Sequence, residues 1–290
     1  MKKYLMDLKV VENIRLHPKY CLLKLTADKT LPEMVPGQFV QVRVDCSPQT
    51  FLRRPISINY VDKSTNELWL LVQLIGEGTR RMAEYRPGEI MNIMLPLGNG
   101  FSIPQNGCFS GNSTAVGNAF LSDSPSYLSA KASSQASNSS FFPLLIGGGV
   151  GTAPMLYLGE TLKSIGFEPE FLLGARSKED IMQLDEFEKI GAVHITTEDG
   201  STGEKGFVTN HSILTQKKAD RIYTCGPKPM MVEVAKYAKA SGITCEVSLE
   251  NMMACGIGAC LCCVENTVKG NVCVCTEGPV FNINQLTWQI

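Results

Sequence analysis

Cysteines at close and unequal intervals near the C-terminus are the residues with the clearest chemical meaning in this sequence. Cys255, Cys260 and Cys263 follow the spacing C-x4-C-x2-C, and further cysteines come after a short polar segment typical of a hairpin turn. Four thiolates in this spacing are typical of plant-type [2Fe-2S] clusters. Gly256 and Gly258 permit the tight turns that aim backbone N–H groups at cluster sulfur atoms. The pattern therefore predicts a two-iron cluster.

The spacing alone leaves the fourth ligand open. Cys273 and Cys275 both follow the hairpin, and Cys262 is a further candidate beside Cys263. Structural zinc is the competing interpretation. Zinc sites, however, usually pair cysteines in two C-x2-C knuckles or add histidine, and the histidines of this chain lie outside the segment.

Two glycine-containing segments form a second group with chemical potential. Leu145 and Ile146 run into GGGVGTAP at 147–154, and glycines before a helix N-terminus let a pyrophosphate approach backbone N–H groups. YTCGPKPM at 223–230 again passes from a strand to a helix and places Cys225 at the strand's carboxyl edge. Ligands of open α/β sheets bind at that edge, so the pair predicts a nucleotide site. A tight turn and an ordinary buried thiol are the alternatives.

A basic segment in the first hundred residues suits a flavin. Arg54 next to Pro55 offers a cation for a phosphate, and Ser57 offers a hydroxyl for the flavin edge. GEGT at 76–79 then begins a short helix whose N-terminus suits an anion. Taken alone, the segment also agrees with an ordinary strand and turn.

The elements that must position these residues fall into two blocks. Up to about residue 100, apolar and polar residues alternate, as in Val40, Val42 and Val44 against Gln41, Arg43 and Asp45, which predicts antiparallel strands of a small barrel or sandwich. From Pro143 onward, short apolar strands alternate with helix-length segments, which predicts a parallel doubly wound sheet.

Composition limits the classes of function. The 290 residues suit about two domains with a small third module, and the formal net charge of −1 gives no electrostatic footprint for nucleic acid or anionic lipid. The N-terminus lacks the apolar core of a signal peptide, and no stretch approaches the ~20 apolar residues of a membrane span. Six of the 11 cysteines lie between Cys255 and Cys275, which favours metal ligation in a reducing compartment. We expect a cytoplasmic protein without nucleic-acid or membrane partners.

A stretch rich in Ser, Asn, Ala and Gly separates the two blocks, at about residues 106–140. Such composition offers little apolar surface to offset the entropy of ordering. We predict a surface insertion with no chemistry of its own.

The motifs together resemble those of one family, the electron transfer subunits of dihydroorotate dehydrogenase B, within the ferredoxin reductase superfamily. The residues that support the resemblance are RPIS at 54–57, GEGT at 76–79, PLGNGF at 96–101, GGGVGTAP, TEDGSTGEKGFVT at 197–209, CGPKPM, MACGIGAC and CTEGPVF. The match covers nearly the whole chain except the Ser-rich insertion. The resemblance implies an antiparallel FAD-binding β-barrel at 1–102, the insertion at 103–141, a parallel α/β NAD-binding domain at 142–245 and a [2Fe-2S] module at 246–290.

The resemblance also implies roles for individual residues. FAD would contact the following residues by motif match: Arg54, Pro55, Ile56, Ser57, Leu71, Val72, Gln73, Gly78 and Thr79. Gly148, Gly149 and the catalytic Cys225 would lie near the nicotinamide nucleotide, NAD(H). The resemblance implies that the cluster is held by Cys255, Cys260, Cys263 and Cys275. Cys275 is the fourth ligand in this assignment because it directly precedes TEGPVF.

The family's partner is an FMN-containing catalytic subunit that oxidises dihydroorotate to orotate in pyrimidine biosynthesis. The resemblance also implies a heterotetramer of two subunits of each kind. This chain would carry electrons from that FMN through [2Fe-2S] and FAD to NAD+. An NAD(P)H-ferredoxin oxidoreductase or a hydrogenase-linked diaphorase subunit is the alternative enzyme, and a non-enzymatic iron-sulfur scaffold or redox sensor is the alternative class. The choice between NADH and NADPH is open, because Arg176 and Lys178 suit a 2′-phosphate whereas Glu179 and Asp180 suit a ribose hydroxyl.

Overall fold

The computed structural model describes residues 2–104 and 141–290, and the insertion predicted at 103–141 lies almost entirely outside them. The first block is one antiparallel sheet. Its strands are β1 (Tyr4–His17), β2 (Tyr20–Thr26), β3 (Phe39–Val42), β4 (Arg54–Ser57), β5 (Tyr60–Asp62), β6 (Glu67–Gln73) and β7 (Ile90–Leu97). They lie in the order β4-β3-β7-β1-β2-β6-β5, and β4 also lies against β6, so that the sheet curls into a barrel. The short helix α1 (Glu77–Met82) follows β6.

The barrel core confirms the predicted alternation. Val40 and Val42 of β3 point into the core together with Leu68 and Val72 of β6, and all four are fully buried. Gln41, between the two valines, points to the opposite face of the sheet, as the period of a strand requires. It is nevertheless fully buried, because the C-terminal part of the chain covers that face of the barrel.

The second block is the predicted parallel sheet. Its strands are β8 (Pro143–Gly148), β9 (Glu170–Ala175), β10 (Val193–Thr197), β11 (Glu204–Lys205), β12 (Arg221–Cys225) and β13 (Thr244–Ser248), in the order β11-β10-β9-β8-β12-β13. The helices of this block are α2 (Ala153–Ser164), α3 (Leu184–Ile190), α4 (Ile213–Gln216) and α5 (Lys228–Ala240). Buried residues of α5 pack on one face of the sheet and those of α2 on the other, which confirms the doubly wound arrangement.

The C-terminal segment is joined to this sheet. After β13 come the cysteine-containing loop, the hairpin β14 (Val264–Thr267) and β15 (Gly270–Cys273), and the short helix α6 (Val274–Glu277). β16 (Val280–Asn282) then pairs antiparallel with β13 at the edge of the sheet. The predicted boundary between residues 245 and 246 therefore falls inside β13.

Direct bonds join the barrel to the α/β domain. The Asn59 amide donates to the Ala153 carbonyl at 3.0 Å, and the Tyr157 hydroxyl donates to the Met34 carbonyl at 2.8 Å. These contacts place the β6 side of the barrel against the start of α2. No helix in the described residues combines the length and the apolar character that crossing a lipid bilayer requires.

Candidate functional site

The Arg54–Ser57 segment forms β4, an edge strand of the barrel sheet. An edge position tolerates Pro55, which has no N–H to donate to a neighbouring strand. Gly78 of α1 lies against this strand, since a Cβ built at Gly78 would be 3.0 Å from Arg54 Nε and 2.9 Å from Thr50 Cγ2. Only glycine leaves the Arg54 guanidinium room beside the start of α1. A guanidinium next to free helix N–H groups is a cradle suited to a phosphate.

Thr79 has a different role from a simple ligand contact. Its hydroxyl accepts the N–H groups of Ile75 and Gly76 at 3.0 and 3.1 Å and donates to the Gly76 carbonyl at 3.1 Å. The side chain therefore organises the turn before α1 and occupies the N–H groups of Ile75 and Gly76.

The Leu71–Gln73 segment of β6 divides between two faces. Val72 points into the barrel core, so only its backbone is available to a ligand. Leu71 and Gln73 point toward the α/β domain, where Gln73 Nε2 donates to the Tyr20 hydroxyl at 3.2 Å. Tyr20 was missed by the sequence reasoning. Its hydroxyl would lie 3.9 Å from a Cβ at Gly149, and burial followed by the nearby Asp180 charge raises its pKa.

The glycine turn lies at the carboxyl edge of the parallel sheet, where β8 and β12 are adjacent and Gly147 is opposite Cys225. A Cβ at Gly151 would lie 2.5 Å from the Cys225 carbonyl carbon, and one at Gly148 would lie 2.4 Å from Met230 Sδ. Packing against backbone therefore requires glycine at 151, whereas a side chain at 148 would have to displace the Met230 side chain. Gly149, with φ +56°, is the glycine of this turn that opens toward the barrel.

Cys225 ends β12 as a fully buried thiol. Burial, reinforced by the negative charge of Glu250, raises the pKa of Cys225 well above its ordinary value, so the residue is a neutral thiol at physiological pH. Its Sγ donates to Glu250 Oε1 at 3.9 Å. Glu250 follows β13 and was missed by the sequence reasoning. Burial of its carboxyl group raises the pKa of Glu250, although the residue as a whole is exposed. The Cys225 thiol is therefore a polar but uncharged group at the carboxyl edge of the sheet.

The cysteine loop surrounds its sulfur atoms with backbone N–H groups. Ile257 N–H donates to Cys255 Sγ at 3.4 Å, and Gly258 N–H donates to Cys275 Sγ at 3.2 Å. Burial raises the pKa of Cys255, but hydrogen bonds from Ile257 and Cys260 outweigh it and lower the pKa to about 6. Such N–H groups stabilise thiolates, the form that binds iron.

The sulfur atoms come together in pairs. Cys255 contacts Cys260, and Cys263 contacts Cys275, whose N–H donates to Cys263 Sγ at 3.4 Å. Among residues 2–104 and 141–290, no three His, Cys, Asp or Glu side chains converge on one metal ion. The fit to a two-iron cluster rests on the chemistry of the donors, since the loop and the short helix α6 together supply the four thiols that such a cluster needs.

Cys273 and Cys275 differ in what their sulfur atoms meet. Both contact Cys263, but Cys275 Sγ accepts the Gly258 N–H, whereas Cys273 Sγ lies 4.0 Å from the Gly258 carbonyl oxygen. A ligand thiolate accepts hydrogen bonds, while a sulfur beside a carbonyl must stay protonated to donate. Burial and the bond with Cys263 raise the pKa of Cys275 to about 12. Binding of iron would release the proton of this thiol, because only the thiolate is a metal ligand. Cys262 is exposed on the outer side of the loop.

Two motifs that are far apart in the sequence meet beside this loop. The Asn99 amide donates to the carbonyls of Thr276 and Glu277 at 3.1 and 3.0 Å, and the Asn99 N–H donates to the Gly278 carbonyl at 2.6 Å. PLGNGF of the barrel thus bonds directly to CTEGPVF of the cysteine module.

The segments GARSKED and TEDGSTGEKGFVT meet at the carboxyl edges of β9 and β10. Lys178 N–H donates to Ser201 Oγ at 2.8 Å, and Asp199 accepts both the N–H and the hydroxyl of Ser201. Arg176 is exposed, whereas Asp180 is buried and its carboxylate is 3.8 Å from Lys19 Nζ of the barrel. Asp180 is therefore turned away from the open edge.

Comparison with known proteins gives family matches over most of the chain. A family model of the iron-sulfur cluster binding domain of dihydroorotate dehydrogenase B matches residues 250–287, and a model of the oxidoreductase NAD-binding domain matches residues 145–236. The dihydroorotate dehydrogenase B (NAD(+)) electron transfer subunit of Fusobacterium nucleatum is 32% identical over 283 residues, 95% of each chain. That of Listeria monocytogenes serotype 4b is 34% identical over 97% of this chain and 98% of the relative.

Solved structures share the architecture. An NADH-dependent reduced ferredoxin-NADP oxidoreductase aligns with a TM-score of 0.77 and 24% identity, over 97% of this chain and 90% of the other. A ferredoxin NADP+ reductase from Neisseria gonorrhoeae, solved with FAD and NADP, aligns with a TM-score of 0.59 and 16% identity, over 82% of this chain and 92% of the other. These similarities confirm the predicted fold class.

Proposed function

This chain belongs to the family of dihydroorotate dehydrogenase B electron transfer subunits, and we propose on that premise that it passes electrons from an FMN-containing partner to NAD+ through [2Fe-2S] and FAD. It is an oxidoreductase subunit with iron-sulfur and NAD-binding domains. Orotate formation in pyrimidine biosynthesis is the reaction that it would complete. The observation that supports this route most strongly is that the barrel bonds to both other parts, to the cysteine module through Asn99 and to the start of α2 through Asn59.

For FAD, we propose a site along β4, β6 and the start of α1. Arg54 would neutralise phosphate charge, beside the N–H groups of Gly78 and Thr79. The strand residues Pro55, Ile56 and Ser57 would line one edge of the flavin, and Leu71, Val72 and Gln73 the other, Val72 through its backbone alone. FAD, when bound, exchanges a hydride with a nicotinamide and single electrons with an iron-sulfur cluster.

For NAD(H), we propose the carboxyl edge of β8 and β12. Gly149 would leave room for the nucleotide, while Gly148 keeps the turn closely packed. Cys225 would contact the nicotinamide as a neutral thiol, adding no charge where a hydride passes. Water is excluded from this thiol because it is fully buried.

For the cluster, we propose that Cys255, Cys260, Cys263 and Cys275 would supply the four thiolates. The N–H groups of the loop stabilise the thiolates. Removal of this site should interrupt electron transfer without changing the hydride step, which needs FAD and the nucleotide site alone.

We propose that the partner docks over the cysteine loop, as a heterotetramer of two subunits of each kind. Large apolar side chains lie exposed around that loop: Met252, Ile257, Leu261 and Val264. A cluster of exposed apolar residues marks an interaction surface rather than a solvated one. The reducing compartment favoured by the cysteine composition supports a cytoplasmic location.

An NAD(P)H-ferredoxin oxidoreductase subunit is the second candidate, because the oxidoreductase structure with a TM-score of 0.77 has the same architecture over nearly the whole chain. Fold alone does not separate the two functions. The full-length relatives at 32–34% identity favour the dihydroorotate partner. Co-purification with an FMN-containing subunit would distinguish the two candidates.

The experiment that tests the route compares two activities in one variant. Cys260→Ser removes a cluster ligand whose side chain is exposed, so the packing of the core is left unchanged. We expect this variant, reconstituted with the FMN subunit, to reduce dyes with NADH at the wild-type rate. We expect dihydroorotate-dependent reduction of NAD+ to fall to background.

The matched control is Cys262→Ser, which changes an exposed cysteine in the same loop and should leave both activities intact. If the cluster-free complex still couples dihydroorotate oxidation to NAD+ reduction at normal rates, the cluster is structural and the proposed route is wrong.

A further inference from the structure

Gln41 is a buried amide that the fold does not use. Its side chain is fully buried, and within the described residues neither Nε2 nor Oε1 has a hydrogen-bond partner. Glutamine is rarely buried, and each amide group that is buried without a partner destabilises a protein, because it has lost its hydrogen bonds to water. A residue with this penalty points to a group that the protein chain itself does not supply.

The position of Gln41 links the proposed FAD strand to the cysteine loop. Its backbone pairs with Pro55 of β4. Its side chain projects from the outer face of the barrel, the same face as Phe39, which belongs to one buried cluster with Cys263 and Cys275. Gln41 is thus in contact with β4 through its backbone and faces the cysteine module through its side chain.

Gly256 identifies the part of the loop that the amide meets. A Cβ built at Gly256 would lie 2.8 Å from Gln41 Cγ and 3.1 Å from Gln41 Nε2. Gly256 has φ +70° and directly follows Cys255. The absence of a side chain at Gly256 therefore lets the nitrogen end of the amide reach the backbone of the loop at the Cys255 end.

We propose that Gln41 sets the reduction potential of the cluster by donating its amide N–H to a sulfur atom at the Cys255 end. This inference rests on the proposed function, because it requires the cluster. Hydrogen bonds to cluster sulfur atoms stabilise the added electron and raise the reduction potential. Gln41 would thereby make the cluster a better electron acceptor and keep its potential close to that of FAD.

The test compares two variants in the FAD- and cluster-loaded chain. Gln41→Leu removes the donor and the acceptor, and Gln41→Glu keeps the shape but lacks the amide N–H. A redox titration would follow the reduced cluster by electron paramagnetic resonance and FAD by visible absorbance. We expect a lower cluster potential in both variants and an unchanged FAD potential, with the electron distribution shifted toward FAD by about three- to tenfold, the size of one lost hydrogen bond.

Gln38 supplies the matched control. It is equally buried just before the same strand, but its Oε1 accepts the Val35 N–H at 2.8 Å and its Nε2 donates to the Gly98 carbonyl at 2.9 Å. Gln38→Leu should lower the melting temperature and leave the cluster potential unchanged. Gln41→Leu should not lower the melting temperature of the cluster-free chain, because no bond is lost there.

Three outcomes would overturn the assignment. The first is a wild-type cluster potential in both Gln41 variants, and the second is a shift in the FAD potential instead. The third is loss of iron from both variants with FAD retained, which would show that Gln41 only holds the loop. A wild-type chain that binds no iron would instead contradict the proposed function, so the two failures are distinguishable.

Discussion

At the scale of single residues, the choice of the fourth ligand follows from what each sulfur accepts. Cys275→Ser should remove the cluster, because it deletes the sulfur that accepts the Gly258 N–H and pairs with Cys263. Cys273→Ser should keep about two irons per chain, as a [2Fe-2S] cluster requires. Iron and FAD contents measured on the same anaerobic sample decide the question.

The FAD content in that measurement is the control for folding, since Cys275 is buried in the core. Iron retained in Cys275→Ser and lost in Cys273→Ser would reassign the ligand to Cys273. Zinc without iron in the wild-type chain would contradict the cluster itself.

Sequence reasoning named site residues whose partners lie nearby in the chain and missed site residues whose partners are far away in the chain. Cys255, Cys260 and Cys263 lie within one loop, so their spacing is itself the geometry. Glu250 and Tyr20 have no such signal. Glu250 meets Cys225 only because β12 and β13 are parallel neighbours, and Tyr20 approaches Gly149 only because the barrel packs on the α/β domain.

At the scale of elements, the bond between the barrel and the cysteine module makes a testable contribution. Asn99→Ala removes two donations to the carbonyls of Thr276 and Glu277. Each hydrogen bond contributes about 0.5–1.5 kcal/mol, so loss of both should let the module open about five- to 150-fold more often. We expect a chelator to bleach the cluster faster by that factor.

Asn13 offers a matched control for this prediction. Its amide also donates to two carbonyls, those of Met82 and Tyr85 at 3.1 and 2.8 Å, but within the barrel. Asn13→Ala should lower the stability of the barrel and leave the rate of cluster loss unchanged. Equal bleaching rates in Asn99→Ala and the wild type would show that the backbone bond to Gly278 is sufficient.

Strands were predictable from the sequence where their apolar residues form a regular pattern. β8 is apolar and buried throughout, and β9 and β12 have three and four consecutive buried residues, because a parallel strand is buried on both faces. The burial of Gln41 was not predictable in the same way. Alternation places it on the outer face of β3, but only the tertiary structure shows that a segment more than 200 residues later in the sequence covers that face.

At the scale of the whole molecule, the cysteine module and the α/β domain share one hydrophobic core. That core joins Ile146 and Leu172 of the parallel sheet to Cys263, Cys275 and Phe281 of the module, and it also includes Phe39 and Leu97 of the barrel. The division into separate domains between residues 245 and 246 stays a prediction. Physically, a core shared across that boundary implies that the two parts unfold together.

Loss of the cluster should therefore destabilise the α/β domain and not the cysteine loop alone. A ligand bound only by the folded state stabilises everything that unfolds with it. Cys260→Ser deletes the cluster through an exposed side chain, so any effect on the shared core must pass through the loss of iron. We expect calorimetry to show the main transition shifted down, by about 2–4 °C for each kcal/mol of cluster stabilisation lost. Cys262→Ser should match the wild type. A separate small transition for the module, with the main transition unmoved, would show that the shared core does not couple the two parts.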